Sequence, residues 1–254
     1  MNDTAPLQSM SAVLRAEWRW WLPGALICMV LASVLLSGWT AGLRPGLGVP
    51  IDYHHDSLSH AWLVQRAIEG WIFDNPRSGY PFGSNFLDYP GADGASLLLL
   101  KLLGLPGWGF QAAMKLYYLA GFGAIFSAAY GAMRAQGLAR PLALCGAMLF
   151  DFAPFHFQRL EHIFLTFYLA VPLFFHVAMQ LWRQPPRALR WRDAGLVVLG
   201  STGVYYAFFG LLVVAVAALA RLVRGWNGAV VRRALAIVAL VVAGVLLNVA
   251  PNLV

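Results

Sequence analysis

The sequence predicts an all-α protein that crosses a membrane several times. Of its 254 residues, 60% are hydrophobic and only 11% are charged, whereas soluble domains are typically about 45–50% apolar and about 25% charged. The apolar residues gather in runs, several of which approach the roughly 20 residues that a membrane-spanning helix needs. Arginines cluster between these runs, which is typical of membrane proteins and does not give the single basic face that nucleic-acid binding requires.

The first apolar run, residues 22–40, predicts an uncleaved first span, because it is too long for the apolar core of a signal peptide. Residues 1–14 before it are weakly polar, and we expect them to be mobile. Three tryptophans and two arginines separate these segments and mark a membrane interface. Residues 41–50 are rich in Gly and Pro and cannot continue the helix.

A long polar loop, residues 41–107, follows the first span. Its segment 51–93 carries six of the eleven acidic residues and three of the six histidines. Residues 57–73 contain no proline and have an imperfect apolar stripe, which predicts an amphipathic helix at the membrane interface. Residues 74–94 are rich in Gly, Pro, Asp and Asn and predict irregular structure. A short apolar helix is expected at 95–104.

The rest of the chain is mostly apolar helix. We expect further helices at 110–133, 141–153, 163–182, 194–200, 205–223 and 233–250. The run 141–153 is short for a span and ends at Pro154, and Pro172 is expected to kink its helix. We interpret 194–200 and 205–223 as a shallow hairpin, because a Gly-Ser-Thr-Gly break separates them. This gives about six to seven spans, and we interpret residues 1–254 as the N-terminal part of a longer membrane domain.

The charge distribution predicts which side each loop faces. With the N-terminus in the cytoplasm, the inner segments collect twelve arginines against three acidic residues, a net charge of +9. The outer segments then carry six basic and eight acidic residues, a net charge of −2. Cytoplasmic loops of membrane proteins have an excess of Lys and Arg, so the sequence predicts that the loop 41–107 is extracytoplasmic.

Two polar segments, 51–93 and 151–162, fall on that outer side. In the first of them, Asp56 is our candidate general base, since ionisable groups held near a membrane are usually functional. The alternative is that Asp56 caps the helix that follows it. His60 lies one helical turn further on, and these two side chains with Asp88 or Asp93 are a possible divalent-cation site. Asp88 and Asp93 lie beside Gly and Pro, so turn formation is their alternative role.

The second polar segment contains the run HFQRLEH. A helical turn would align His156, Arg159 and His162 on one face, where Arg159 suits the geometry of a phosphate. We include Asp88, Asp93, Glu161 and Lys101 among the candidate substrate contacts. The alternatives are an Arg–Glu pair at the membrane surface and a lysine that reaches back to the interface.

Three longer motifs carry a family resemblance: EGWIFDNPRSGYPFGSNFLDYP, PFHFQRLEHIFLTFYLAVPL and STGVYYAFFG. With the order of the segments, they resemble the GT-C superfamily of membrane glycosyltransferases, in particular a group of large bacterial inner-membrane proteins commonly placed with it. The resemblance covers residues 51–250. It implies a polyprenyl-phosphate sugar as donor, and it gives the role of base or metal contact in the early loop to Asp56. The chain has no Asp-x-Asp motif, so metal dependence is left open.

These observations predict glycosyl transfer on the outer face of a bacterial plasma membrane, to a glycan, lipid or protein acceptor. Asp56 is expected to take the proton of the acceptor hydroxyl, and Arg159 to hold the leaving phosphate with His156, His162 or Lys101. A transporter or flippase of lipid-linked sugars, or a non-catalytic membrane scaffold, are the alternatives. A transporter would place ionisable groups near the middle of the bilayer.

Overall fold

The computed structural model describes residues 8–37, 46–70, 74–75, 84–85, 94–183 and 189–249. Nearly all of the described chain is helical. The α-helices are α1 (Met10–Ala16), α2 (Trp18–Ser37), α3 (Ser57–Glu69), α4 (Gly94–Gly104), α5 (Gly109–Ala135), α6 (Arg140–Asp151), α7 (Pro154–Gln158), α8 (Ala170–Arg183), α9 (Trp191–Gly200), α10 (Val204–Val223) and α11 (Gly228–Val249). A 3-10 helix, Leu160–Thr166, precedes α8. Two short strands, β1 (Asp74–Asn75) and β2 (Ser84–Asn85), pair antiparallel.

Five stretches within the described ranges are long and apolar enough to cross a membrane. They are Trp18–Leu36, Gly109–Ala135, Leu160–Arg183, Val204–Val223 and Gly228–Val249. This confirms an all-helical protein with several candidate membrane spans. Six or seven crossings stay a prediction, because α6 and α9 contain only 12 and 10 residues. At about 1.5 Å per residue they are shorter than the roughly 30 Å hydrocarbon core of a bilayer.

The N-terminal segment differs from our expectation. Residues 10–14 were expected to be mobile, but they lie in α1, where Met10 and Val13 are buried. Helix α1 packs closely on α5 at Gly131, because a Cβ there would lie 3.0 Å from Met10 Cγ and 3.1 Å from Leu14 Cγ and these side chains would have to shift slightly. The burial of Met10 and Val13 in the first unit therefore orders a segment that its weakly polar sequence left unassigned.

Two expectations about helix breaks need correction. Pro172 does not kink the middle of a helix, because α8 begins at Ala170 and places this proline in its first turn, where the backbone N–H has no partner within the helix. The break between α9 and α10 is present at residues 201–203. However, α10 has 20 residues and could span a membrane alone, so a shallow hairpin does not describe it.

The chain forms two compact units. The first contains Met1–Gly24, Ile125–Phe150 and Tyr168–Leu246, and the second contains Ala25–Ala124, Asp151–Phe167 and Leu247–Val254. In the first unit, buried residues of α8, α9, α10 and α11 share one hydrophobic core. Glycine at position 210 allows α10 to approach α8, because a Cβ there would overlap the ring of Phe174.

The second unit contains both polar segments, 51–93 and 151–162. Its core is built from α3, α4, the N-terminal part of α5 and the 3-10 helix, through residues such as Val64, Leu100, Tyr117 and Ile163. Lys101 of α4 donates a 2.8 Å hydrogen bond to the carbonyl of Ala67 and a further one to the carbonyl of Gly70. The lysine therefore satisfies carbonyl groups at the C-terminal end of α3 that have no partner within the helix.

Candidate functional site

Asp56 immediately precedes α3, but its carboxylate does not cap any described N–H group of that helix. Its Oδ2 atom lies 3.5 Å from Nδ1 of His162, and the two side chains are 61% and 33% exposed. The carboxylate is thus directed towards the second polar segment, and it is open to solvent and to a substrate. The capping alternative for Asp56 is not observed.

Asp52 forms the local side-chain bonds at the start of α3. Ser57 Oγ donates to Asp52 Oδ2 over 2.8 Å, and Nδ1 of His54 lies 2.6 Å from Asp52 Oδ1. Burial opposes ionisation of Asp52, but the hydrogen bonds from His54 and Ser57 outweigh it and lower the pKa of this carboxyl. Asp52 therefore has a structural role beside the helix start, whereas the Asp56 carboxylate points elsewhere.

The backbone before Asp56 adopts an uncommon conformation. His55 has φ of 45°, in the left-handed region that non-glycine residues seldom occupy. Such residues cluster at functional sites, where the surrounding structure holds them in place. The turn at His55 directs the chain into α3 just before Asp56.

His60 supports this arrangement from the next turn of α3. Its Nδ1 lies 2.7 Å from the carbonyl oxygen of Glu161, so Nδ1 carries the proton and donates. The ring packs edge-on against Phe164, and its centroid is 5.9 Å from that of His162. Burial lowers the pKa of His60, which keeps the ring neutral at pH 7. The contact joins α3 to the segment that carries His162.

The expected alignment of His156, Arg159 and His162 on one helical face is wrong. Helix α7 ends at Gln158, and Arg159 and His162 both have non-helical backbone angles. His156 is fully buried and stacks on Phe122 with the ring centroids 3.8 Å apart. A regular helical period does not continue through these residues, and their surroundings differ: His156 is buried, Arg159 is exposed and His162 lies beside Asp56.

The other candidate residues have distinct surroundings. Arg159 is exposed, with its guanidinium 5.6 Å from the centre of the Phe155 ring. The partly exposed Glu161 contributes its backbone carbonyl to His60, and Lys101 is engaged at the end of α3. Asp88 and Asp93 lie outside the described residues.

In the described part of the chain, no group of three or more His, Cys, Asp and Glu side chains is placed to hold a metal ion. Asp56 and His162 form a pair at 3.5 Å, and His60 uses its Nδ1 atom on a backbone carbonyl. A divalent cation at Asp56 and His60 therefore stays a prediction. The arrangement offers a carboxylate and two imidazoles for proton transfer and hydrogen bonding.

A buried ion-pair network in the first unit was not predicted from the sequence. Glu17, which precedes the first span, accepts hydrogen bonds from Arg134 at 2.6 and 2.8 Å and from Arg140 at 3.2 Å. Tyr130 donates a further bond to the same carboxylate. The hydrogen bonds from Arg134 are the main reason that the pKa of Glu17 falls to about 2. An acidic residue beside tryptophans at the start of a span was the available signal.

A second buried network in the first unit connects α8, α9 and α11. Arg233 Nη2 donates to Gln180 Oε1 over 2.7 Å and lies 4.0 Å from Asp193 Oδ2. The amide nitrogen of Gln180 is 3.3 Å from Asp193 Oδ1 and 2.9 Å from Nε2 of His176. Buried charges within membrane helices are costly and require such partners.

Comparison with known proteins gives no assignment: no protein-family model, curated protein or solved structure matches the chain. The functional interpretation consequently depends on the residues themselves. Asp56 and His162 form a solvent-accessible pair of a carboxylate and an imidazole, which are groups suited to proton transfer.

Proposed function

We propose that this protein is a GT-C-type membrane glycosyltransferase. It moves a sugar from a polyprenyl-phosphate donor to a glycan, lipid or protein acceptor on the extracytoplasmic face of a bacterial plasma membrane, with its N-terminus in the cytoplasm. The observation that supports this most directly is the exposed Asp56 carboxylate, which lies 3.5 Å from His162 and leaves the described helix start uncapped.

In the proposed reaction, an acceptor hydroxyl attacks the anomeric carbon of the donor sugar. A new carbon–oxygen bond forms as the bond to the phosphate oxygen breaks, and the bonding electrons leave with the phosphate. Asp56 takes the hydroxyl proton, a contribution of about 10²–10⁴-fold for general-base catalysis. His162, with a proton on Nδ1, orients the carboxylate. Displacement from the opposite side inverts the anomeric centre and needs no covalent sugar–enzyme intermediate.

The leaving phosphate requires positive charge and hydrogen-bond donors. Arg159 is assigned this role, because its exposed guanidinium offers five N–H donors in a planar fork. Lys101 is less suited, since its ammonium group already serves two carbonyls of α3. His156 is also less suited, because its ring is fully buried.

The test compares two neighbouring carboxylates in the full-length protein. Membranes containing wild type, Asp56→Asn or Asp52→Asn are incubated with a panel of radiolabelled polyprenyl-phosphate sugars, and transfer of label to acceptor material is measured. Asn cannot accept a proton at neutral pH, so we expect Asp56→Asn to lose at least about 10²-fold in activity. Asp52→Asn keeps an acceptor for Ser57 and should retain most activity.

Protein amounts and detergent-extracted elution profiles of the two variants should match wild type. Transfer by Asp56→Asn at the wild-type rate would reject Asp56 as the base. Absence of transfer by the wild-type protein with every donor, in membranes that contain the natural acceptors, would reject the enzyme itself.

A second candidate function is transport of lipid-linked sugars, and one observation favours it. Arg233 and Asp193 form a buried ionisable pair in α11 and α9, and such pairs often mark transport pathways in membrane proteins. A transporter would move a fluorescent polyprenyl-phosphate sugar across the bilayer of reconstituted liposomes without forming a glycosylated product. That movement would depend on Arg233 and not on Asp56.

A further inference from the structure

A cavity of about 320 Å³ lies in the first unit, bordered by α5, α6 and α8. Eight of the nine residues that line it are apolar, including Ala132, Leu138 and Phe150. Val171 and Phe175 line it as well, and they are 43% and 50% exposed. The cavity is therefore accessible from the outer surface of the helices, and its volume falls within the range of small-molecule sites.

Gln136 is the polar exception in the cavity wall. Both its amide nitrogen and its amide oxygen are buried, and neither has a hydrogen-bond partner among the described residues. Buried polar groups in proteins are nearly always hydrogen-bonded. A water molecule is a poor candidate, since it needs two to four polar partners and the cavity lining offers one polar side chain.

The backbone fixes Gln136 at the cavity. Helix α5 ends at Ala135, and Gly137 has φ of 91°. The N–H of Leu138 bonds to the carbonyl of Met133, and the N–H of Gly137 bonds to that of Arg134, which is the Schellman pattern of helix ends. This turn places Gln136 and Leu138 side by side in the cavity wall.

The surroundings define the chemistry of an occupant. Apolar helices of this length place lipid around the molecule, so an acyl chain can enter beside Phe175. The two free sites of the Gln136 amide require one acceptor and one donor. Near the end of α5, the network of Arg134, Arg140 and Glu17 carries a net charge of +1, and the Arg140 side chain is 52% exposed, which favours an anionic headgroup.

We propose that this cavity binds one anionic membrane lipid with a hydroxylated headgroup, for which phosphatidylglycerol is the probe. An acyl chain occupies the apolar space. A lipid ester carbonyl accepts from the Gln136 amide nitrogen, and a headgroup hydroxyl donates to its amide oxygen. The cavity lining shares no residue with the Asp56 site, and the proposal does not depend on the proposed transferase activity.

The experiment uses the photo-reactive amino acid p-benzoylphenylalanine in place of Phe175, in full-length protein reconstituted into nanodiscs. Each nanodisc preparation contains one lipid: phosphatidylglycerol, phosphatidylmethanol (an anionic phosphodiester without a headgroup hydroxyl) or phosphatidylcholine. The same probe replaces Phe208 of α10 as the matched control, because that ring is 64% exposed and lies outside the cavity lining. Lipid adducts are quantified by mass spectrometry of the intact protein.

At Phe175 we expect phosphatidylglycerol to cross-link about fivefold more than the other two lipids, the discrimination that one net hydrogen bond supplies. Gln136→Leu should remove this preference without changing protein yield, since it replaces an unpartnered amide with an apolar group. The probe at Phe208 should show equal labelling by all lipids in both backgrounds.

Other outcomes overturn the proposal. Equal adduct yields for the three lipids with the probe at position 175 would mean that the probe reacts only with non-specific surrounding lipid. Equal yields for phosphatidylglycerol and phosphatidylmethanol would reduce the site to charge alone and exclude recognition of a headgroup hydroxyl by Gln136. Cross-links to protein would show that a polypeptide covers the cavity.

Discussion

Removing the Glu17 carboxylate should destabilise the first unit more than removing any exposed acid. Glu17 is 8% exposed and accepts four hydrogen bonds, two of them from Arg134. Its pKa falls from 4.5 to about 2, and each pKa unit corresponds to about 1.4 kcal/mol. The carboxylate therefore stabilises the folded state by roughly 3 kcal/mol at pH 7. Glu17→Gln should lose most of this free energy of unfolding, because the two arginines then lack a negative partner.

Because the pKa of Glu17 differs between the folded and unfolded states, the free energy of unfolding should depend on pH. The folded-state pKa of Glu17 is depressed, so its stabilisation is complete above about pH 4.5. It is lost progressively as the pH falls towards 2. We expect the wild-type free energy of unfolding, measured by denaturant titration in mild detergent, to decline over this window. Glu17→Gln should be less stable at pH 7 and should lack this component of the acid-side decline.

The matched control is Glu69→Gln. Glu69 pairs with Arg66 at 2.8 Å one turn back in α3, where the two side chains are 25% and 16% exposed, and pairs one turn apart on a helix contribute only about 0.2–0.5 kcal/mol. If Glu17→Gln is as stable as Glu69→Gln at pH 7, or if its acid-side decline is unchanged, the carboxylate does not stabilise the fold through this network.

Two further substitutions test the first unit. Gly137→Ala should lower the free energy of unfolding by about 1–2 kcal/mol, because φ is 91° there and the left-handed region is unfavourable for alanine. The control is Gly225→Ala, where a Cβ would meet no atom within 4 Å and φ is ordinary. This variant should be nearly as stable as wild type in the same denaturant titration. Arg233→Met leaves Asp193 buried without its cationic partner and should cost about 3–5 kcal/mol. The double variant Arg233→Met with Asp193→Leu should recover most of that loss, and failure to recover would mean that the pair is not coupled.

Apolar runs allowed the major helices to be predicted from the sequence. The beginning of α3 at Ser57 and the end of α10 at Val223 coincide with the expected positions, because hydrophobic length and Gly or Pro breaks are local signals. The amphipathic helix also ends close to its expected position, four residues early at Glu69.

The candidate site was only partly predictable. Asp56 was selected for its position in the chain, but its proximity to His162 depends on how two distant segments pack. The expected alignment of His156 with Arg159 and His162 is not formed, because the chain leaves helical geometry at Arg159. Glu17 was missed since its partner Arg134 is 117 positions away, and no local pattern reports such a pairing.

The two polar side chains that hold α3 in place both bind main-chain atoms. His60 donates to the carbonyl of residue 161, and Lys101 donates to those of residues 67 and 70. A carbonyl group is present whatever side chain a position carries. Substitutions at position 161, or substitutions at position 67 that still fit the packing, therefore leave the hydrogen bonds of both side chains intact. A substitution of His60 or Lys101 removes those of one side chain. In a deep mutational scan, each of these contacts should constrain only one of its two positions.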